Sequence, residues 1–442
     1  MVVPFDSSVN VAFPHIVRAF ALPIPAIQWV VISYTLTYAA LMLVFGRVGD
    51  MIGYRRVFLA GTVFSTLAFV LCALARSYEA LLAARFVQGV GAALTLSCGP
   101  ALATGLFADA DRSRILGWYT MAFGLGAVLG PVIAGQMVGQ FGWQAVFWFR
   151  APVALLAFVL AFGLPAGRGQ EKQSFDALGA AWLIITISAM LAALNQLKAP
   201  EGGLGIAMAV VTVGAGGLFV RRQLRTPHPI IDMRYFRDPD FALVNIGHTL
   251  LNVAGFSVML LAPFYLDRIG GLSVSMGGVA LASSPLGIML SAPLAGRWAA
   301  HVPPRRLAMV GACLMAGAQF AIGMAGVEPY IGPMCLAMFA QGFGLGLFQV
   351  AHFDIATVTI PRADRGVAGS LVMMTRTVGV VTGATVLMLT FQTLRASAAA
   401  RGIPDTEAFL SGFQGAFRIA ALLPLMVALV CGMRGWLRRS AR

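Results

Sequence analysis

The sequence predicts an all-α membrane protein: two six-span, pseudo-symmetric bundles, two extra central helices, and a first helix cut short. Three observations carry this reading. Of the 442 residues 59% are hydrophobic and 11% charged, and the apolar residues come in repeated, sparsely charged blocks of about 18 to 27, the length that crosses a bilayer as a helix. An internal repeat links the two halves. Phe86-Val-Gln-Gly-Val-Gly returns as Phe339-Ala-Gln-Gly-Phe-Gly at an offset of 253, and the same offset carries Asp111-Arg112 onto Asp364-Arg365, Gly126 onto Gly379 and Gly130 onto Gly383. The third observation is the sidedness of charge. Alternate connections and the C-terminal tail, with the adjoining ends of the apolar stretches, hold 21 of the 31 Lys and Arg residues, while the opposite connections hold six, a bias that places both termini in the cytoplasm.

In chain order, residues 1–17 carry Asp6, Asn10 and His15 and are too short to span at about 1.5 Å per residue. Either the start codon clips this helix or it spans poorly. Apolar stretches follow at 28–45, 57–75, 81–107, 115–138 and 146–164, then a polar connection at 165–176. Two more stretches, 177–197 and 204–220, lead to the longest basic connection, 221–240. The rest reads 241–266, 276–298, 307–327, 331–360, 367–391 and 413–437, about fourteen spans in all. The repeat offset covers eight of them, so the domains are 1–164, a central 165–240 with two extra spans, and 241–442. Same-orientation duplication implies a substrate path at the interface of the halves, opened by rocking one against the other.

The net charge of +14 would suggest nucleic acid in a soluble protein. Here the basic residues sit in short connections, and no basic, aromatic-interleaved surface is left for a polyanion. The five cysteines lie in apolar blocks without a CxxC pair, so neither a disulfide framework nor a metal site is expected.

Arg85 sits in the run 81–107, where Gln88 is the other strongly polar side chain. An isolated guanidinium in hydrocarbon costs about 2.5–3.5 kcal/mol on insertion scales and must face a bundle interior or a wet cavity. Arg85, Gln88, Gly89 and Ala92 share one helix face. One span later Gly126, Gly130 and Ala134, with Pro131 between and Gly135 after, form a close-packing stripe with a built-in weak point. Gly46-Arg-Val-Gly-Asp50-Met-Ile-Gly53-Tyr-Arg55-Arg56 falls between spans 2 and 3, where Gly53 suits a sharp turn.

These motifs resemble those of the major facilitator superfamily, and with Asp6-Ser-Ser-Val9-Asn10-Val-Ala-Phe13-Pro14 and Gln28-Trp29 they resemble its fourteen-span drug:proton antiporters. The resemblance implies a major-facilitator-type fold and a cytoplasmic gating latch at Gly46, Asp50, Gly53, Arg55 and Arg56. It further implies proton coupling through Arg85 and an antiporter motif at Gly126, Gly130, Pro131 and Gly135. The second half keeps the repeat but has Ala300 for Asp50, Met338 for Arg85 and Ala384 for Pro131, so latch and relay chemistry are expected in the first half alone.

A proton-driven exchanger needs a carboxylate that loads and unloads protons. Asp6 is the first candidate and Asp354, near His352, the second. Asn245, His248 and Asn252, spaced i, i+3, i+7, share a face and with Gln88, Gln349 and Arg376 are candidates for the substrate path; a satisfied interhelical network is the alternative. The expected function is proton-coupled export of lipophilic, drug-like compounds across the bacterial inner membrane by alternating access. Its partners are a small lipophilic substrate, protons and the lipid bilayer, with a periplasmic adaptor protein as a further partner and a monomeric working unit. No cofactor, metal or nucleic acid is expected. Export of one specific metabolite is the same-class rival. A membrane-embedded enzyme would need clustered acids or histidines on sizeable loops, and a remnant inactivated by its short first span is a third alternative.

Overall fold

The computed structural model describes residues 4–105, 112–164, 176–196, 203–226, 229, 233–299, 301–328, 330–359 and 365–440. Their regular structure is all helix, with no strand among the described residues. They divide into two compact units, Met1–Asp232 and Met233–Arg442.

In the first unit a 3-10 turn at Pro4–Ser7 leads into α1 (Ser8–Val11) and α2 (Phe13–Ala19), and a second at Ile24–Ile27 leads into α3 (Gln28–Ile52). Then come α4 (Tyr54–Ala73), α5 (Tyr78–Gly105), α6 (Arg112–Phe141), α7 (Ala145–Trp148), α8 (Arg150–Phe162), α9 (Ala177–Gln196) and α10 (Gly203–Gln223). The second unit opens with a 3-10 turn at Met233–Arg237. It continues through α11 (Pro239–Arg268), α12 (Val274–Leu281), α13 (Ser283–Ala299), α14 (Pro304–Ile322), α15 (Ile331–Thr359), α16 (Arg365–Ala400) and α17 (Asp405–Ser440). Within the described residues, each apolar stretch from 28–45 onward overlaps one of these helices or two consecutive ones. Among the described residues eleven helical segments are long and apolar enough to cross a membrane, as a polytopic protein requires.

Two local departures from the sequence reading have plain causes. The first segment is not one helix: Pro14 sits in the first turn of α2 and lacks the N–H that would continue the ladder from α1. The stretch 46–56 is not a loop either. α3 runs through it to Ile52, and the whole connection to α4 is Gly53 at φ +97°, a conformation a residue with a Cβ strongly resists. The turn expected at Gly53 is present, but Gly46 and Asp50 lie in helix, and the side chain of Asp50 is outside the described residues.

Helices approach closely where glycine permits it. In the second unit a Cβ on Gly311 of α14 would stand 2.6 Å from the carbonyl oxygen of Gly344 on α15, so these backbones touch, as small-residue membrane interfaces do. α17 grips the end of α14: Arg418 Nε donates to Gly323 O at 3.1 Å and Gln414 Nε2 to Ala325 O at 2.8 Å, which accounts for an arginine inside an apolar span.

The extra pair α9 and α10 is fastened at one end by Asp176. Its buried carboxylate accepts the Gly179 N–H at 2.9 Å, capping α9, and also accepts from Arg222 Nε and from Gln223 Nε2 at 3.1 Å on α10. Replacing Asp176→Ala removes cap and tether together and should destabilise this hairpin by about 1–3 kcal/mol. Thermal unfolding in detergent, or protease nicking between α9 and α10, reads the loss; an unchanged melting profile would mean the tether contributes nothing.

Candidate functional site

The first unit gathers its buried charge around Asp6, in the 3-10 turn ahead of α1. Arg85 of α5 approaches end-on, with Nη1 to Oδ1 at 2.7 Å and Nη2 to Oδ2 at 3.2 Å. Gln88, one turn further along α5, closes a ring: its Oε1 accepts from Arg85 Nη1 at 2.7 Å and its Nε2 donates to Asp6 Oδ1 at 3.0 Å. Arg150, the first residue of α8, adds a third donor to the same oxygen, Nη1 to Oδ1 at 3.0 Å. Both arginines are 1% exposed while the Asp6 side chain is 20% exposed. Each guanidinium also lies against an aromatic face, Arg85 at 4.4 Å from the Tyr34 ring centre and Arg150 at 4.3 Å from that of Phe69, where the cation gains from the ring quadrupole. Arg85 Nε donates to Val30 O of α3 at 2.8 Å. The shared face of Arg85 and Gln88 therefore looks inward, and a carboxylate lies between two guanidiniums.

The glycine and proline motif of α6 holds the segment that carries Asp6. Pro131 has no N–H, so the carbonyl four residues earlier, that of Ala127, loses its helical donor. Ser7 supplies one: its Oγ–H reaches Ala127 O at 3.1 Å. Gly130 makes room, since a Cβ there would stand 2.7 Å from Ser7 Oγ and 3.5 Å from Phe5 Cα. α6 continues as helix through Pro131 to Phe141, so the weak point expected there is a vacated hydrogen bond taken by the neighbouring residue of Asp6. Gly126 and Gly135 are buried on the same helix.

At the far end of α4, Arg55 donates through Nε to Ala161 O at 3.4 Å and through Nη2 to Phe162 O, tying the start of α4 to the last turn of α8. Arg56 is exposed.

The remaining candidates belong to the second unit. Asn245 donates to Phe241 O at 2.8 Å and takes up His352 Nε2 at 3.0 Å. His248 Nδ1 meets Thr375 Oγ1 at 2.9 Å, and Asn252 donates to the His248 carbonyl at 2.8 Å. The two imidazoles lie 4.7 Å apart, centre to centre. Gln349 and Asp354 on α15 and Arg376 on α16 are half-buried. Asp354 stands two residues beyond His352, about 200° round the helix and off its face. Among the described residues no group of three or more His, Cys, Asp or Glu is arranged to hold a metal ion.

Residues 2–283 match the family profile described as Major Facilitator Superfamily. The chain belongs to the major facilitator superfamily. Within the superfamily it is 31% identical to an uncharacterized transporter, YebQ, of Escherichia coli (strain K12), over 86% of this chain and 84% of that one. It is 27% identical to the riboflavin transporter RibZ of Clostridioides difficile (strain 630), over 85% and 82%. A third relative, the multidrug resistance protein Stp of Mycobacterium tuberculosis (strain CDC 1551 / Oshkosh), is 28% identical over 86% of this chain and 71% of its own. The fold is that of a bacterial homologue of the human lysosomal transporter Spinster, crystallised inward-facing and unoccupied: TM-score 0.71, 16% identity, covering 97% and 93% of the two chains. The protein is a multi-pass membrane transporter.

For a superfamily transporter the residue that sequence reasoning missed at this site is Arg150. It is the fifth residue of the stretch 146–164, as Arg85 is of 81–107, and the argument that drew attention to Arg85 applies to it equally. Tyr34 and Phe69 gave no signal, since an aromatic in an apolar span is unremarkable by type.

Two tests follow from this geometry. Asp6→Ala strands two buried guanidiniums and should destabilise by about 3–5 kcal/mol; adding Arg150→Met should recover part of that loss in detergent thermal unfolding, and a double variant no more stable than the single one would remove Arg150 from the cluster. In Pro131→Ala the Ala127 carbonyl regains a helical donor, so Ser7→Ala, costing about 1 kcal/mol in the natural background, should cost measurably less there. Additive losses in that double-mutant cycle would show that Ser7 does not answer Pro131.

Proposed function

We propose that the protein is a proton-coupled antiporter that exports lipophilic, drug-like small molecules across the bacterial inner membrane by alternating access, with both termini cytoplasmic. The observation that carries this reading is the Asp6 carboxylate, partly exposed yet held by Arg85, Gln88 and Arg150 on a segment seated against the glycine and proline motif of α6. A proton taken up by Asp6 cancels the charge that holds two guanidiniums together. The two cations, no longer separated by a negative charge, then repel. Relief comes from shifting the Asp6 segment against α5 and α8, so protonation and helix movement become one event. The driving force is adequate, roughly 2.3 kcal/mol per charge moved through about 100 mV.

The relatives named multidrug resistance proteins support the drug-like substrate class. A second reading is export of one specific metabolite; the relative named as a riboflavin transporter supports a single-metabolite substrate class. A resistance screen in a pump-deficient host separates them: protection against several unrelated inhibitors favours the first reading, and protection against none the second. In everted vesicles, Asp6→Asn and Arg85→Ala should each abolish drug-dependent proton release while the protein still reaches the membrane. Normal release in both variants would sink the assigned relay.

A further inference from the structure

Arg85 and Arg150 meet the same carboxylate but are not equally satisfied. All three nitrogens of Arg85 are engaged, Nε by Val30 O and the two Nη atoms by Asp6 and Gln88. Arg150 uses Nη1 on Asp6, while its Nε and Nη2 are buried and have no hydrogen-bond partner among the described residues. These two atoms carry the parallel N–H bonds of the guanidinium's long edge, the fork whose spacing matches the two oxygens of a carboxylate. The side chain is 1% exposed, and the face of the Phe69 ring lies 4.3 Å from Cζ. One guanidinium face is thus covered and the donors remain in its plane.

The charge count points the same way. Among the described residues two guanidiniums and one carboxylate leave a surplus of one positive charge in the cluster, and a buried, uncompensated charge is among the costliest features a protein can carry. A partner with one negative charge and two coplanar oxygens would satisfy both orphaned donors and cancel the surplus. A cation would be repelled, and a neutral amide would leave the charge standing.

We propose that the long edge of Arg150 is a binding site for a carboxylate-class monoanion. Such an anion has two sources: an acidic group on a lipophilic molecule the protein transports, or a small oxyanion from solution. As a substrate subsite the proposal rests on the transport reading above; as a binding site it stands without it.

The test uses the purified full-length protein in detergent, with benzoate, formate and the neutral isostere benzamide as probes in calorimetry or thermal-shift titration. Benzoate should bind and benzamide should not. Arg150→Gln, which leaves a neutral Asp6–Arg85 pair, and Arg150→Lys, which keeps the charge but loses the parallel fork, should each weaken benzoate by about ten- to a hundredfold. Formate binding as tightly as benzoate assigns the site to small oxyanions, and clearly weaker formate assigns it to the acid group of a lipophilic molecule; both support the site. Benzamide matching benzoate, or unchanged benzoate affinity in Arg150→Gln, overturns it. Should Arg150→Gln fail to fold, Arg150→Lys and the benzoate-to-benzamide comparison decide. Benzoate binding without drug-dependent proton release in vesicles would overturn the exchange mechanism and leave the anion site intact.

Discussion

One carboxylate shared by two buried guanidiniums constrains the whole first unit. Neither arginine can be left in a low-dielectric interior without an acceptor, so the elements that bear them must converge on Asp6. α5 brings Arg85 and Gln88, α8 brings Arg150 at its first residue, α3 lends the Val30 carbonyl and the Tyr34 ring, and α4 lends the Phe69 ring. Even the neighbours of Asp6 are bound to this geometry: Phe5 packs edge-on against Phe149 at 5.7 Å and Ser7 bonds to α6. Geometry that strict ties a change of charge at one atom to the placement of five helical elements.

The second unit has the repeat's framework without its charge. Met338, fully buried, stands where the first half has Arg85, and Gln341, the counterpart of Gln88, accepts from Ser284 at 2.7 Å between α15 and α13. The buried amides and imidazoles of Asn245, His248, Asn252 and His352 are held by hydrogen bonds to neighbouring helices or back to their own backbone. Duplicated sequence has kept the glutamine as an interhelical link in both halves and the ion cluster in one.

Much of this was legible from residue order. Apolar block length located the helices because a membrane helix must satisfy its own backbone and cover about 30 Å, and the spacing of Arg85 and Gln88 gave the inward face. Asp6 was found by scarcity, as one of few acids inside apolar stretches. What escaped was information held in three dimensions. Arg150 lies as deep in its stretch as Arg85 in its own, but Val153 and Ala154 one turn on mark no polar inward face for it. The link between Ser7 and Pro131 spans more than 120 positions and exists through an absent N–H, which no periodicity reports. The motif around Asp50 reads as a connection because its glycines and charges look like a loop, yet α3 runs straight through to Ile52. The contact between His352 and His248 likewise exists only in the fold.

A joint of one residue behaves differently from a strap of several. Gly53 can pivot, because its backbone has no side chain to strike, but it cannot lengthen, and the helices on either side have no spare chain between them. Any axial displacement of α3 is therefore handed to α4 without slack. Since α4 bears the ring against Arg150 and α3 the carbonyl that holds Arg85, the two guanidiniums ride on a single mechanical crank.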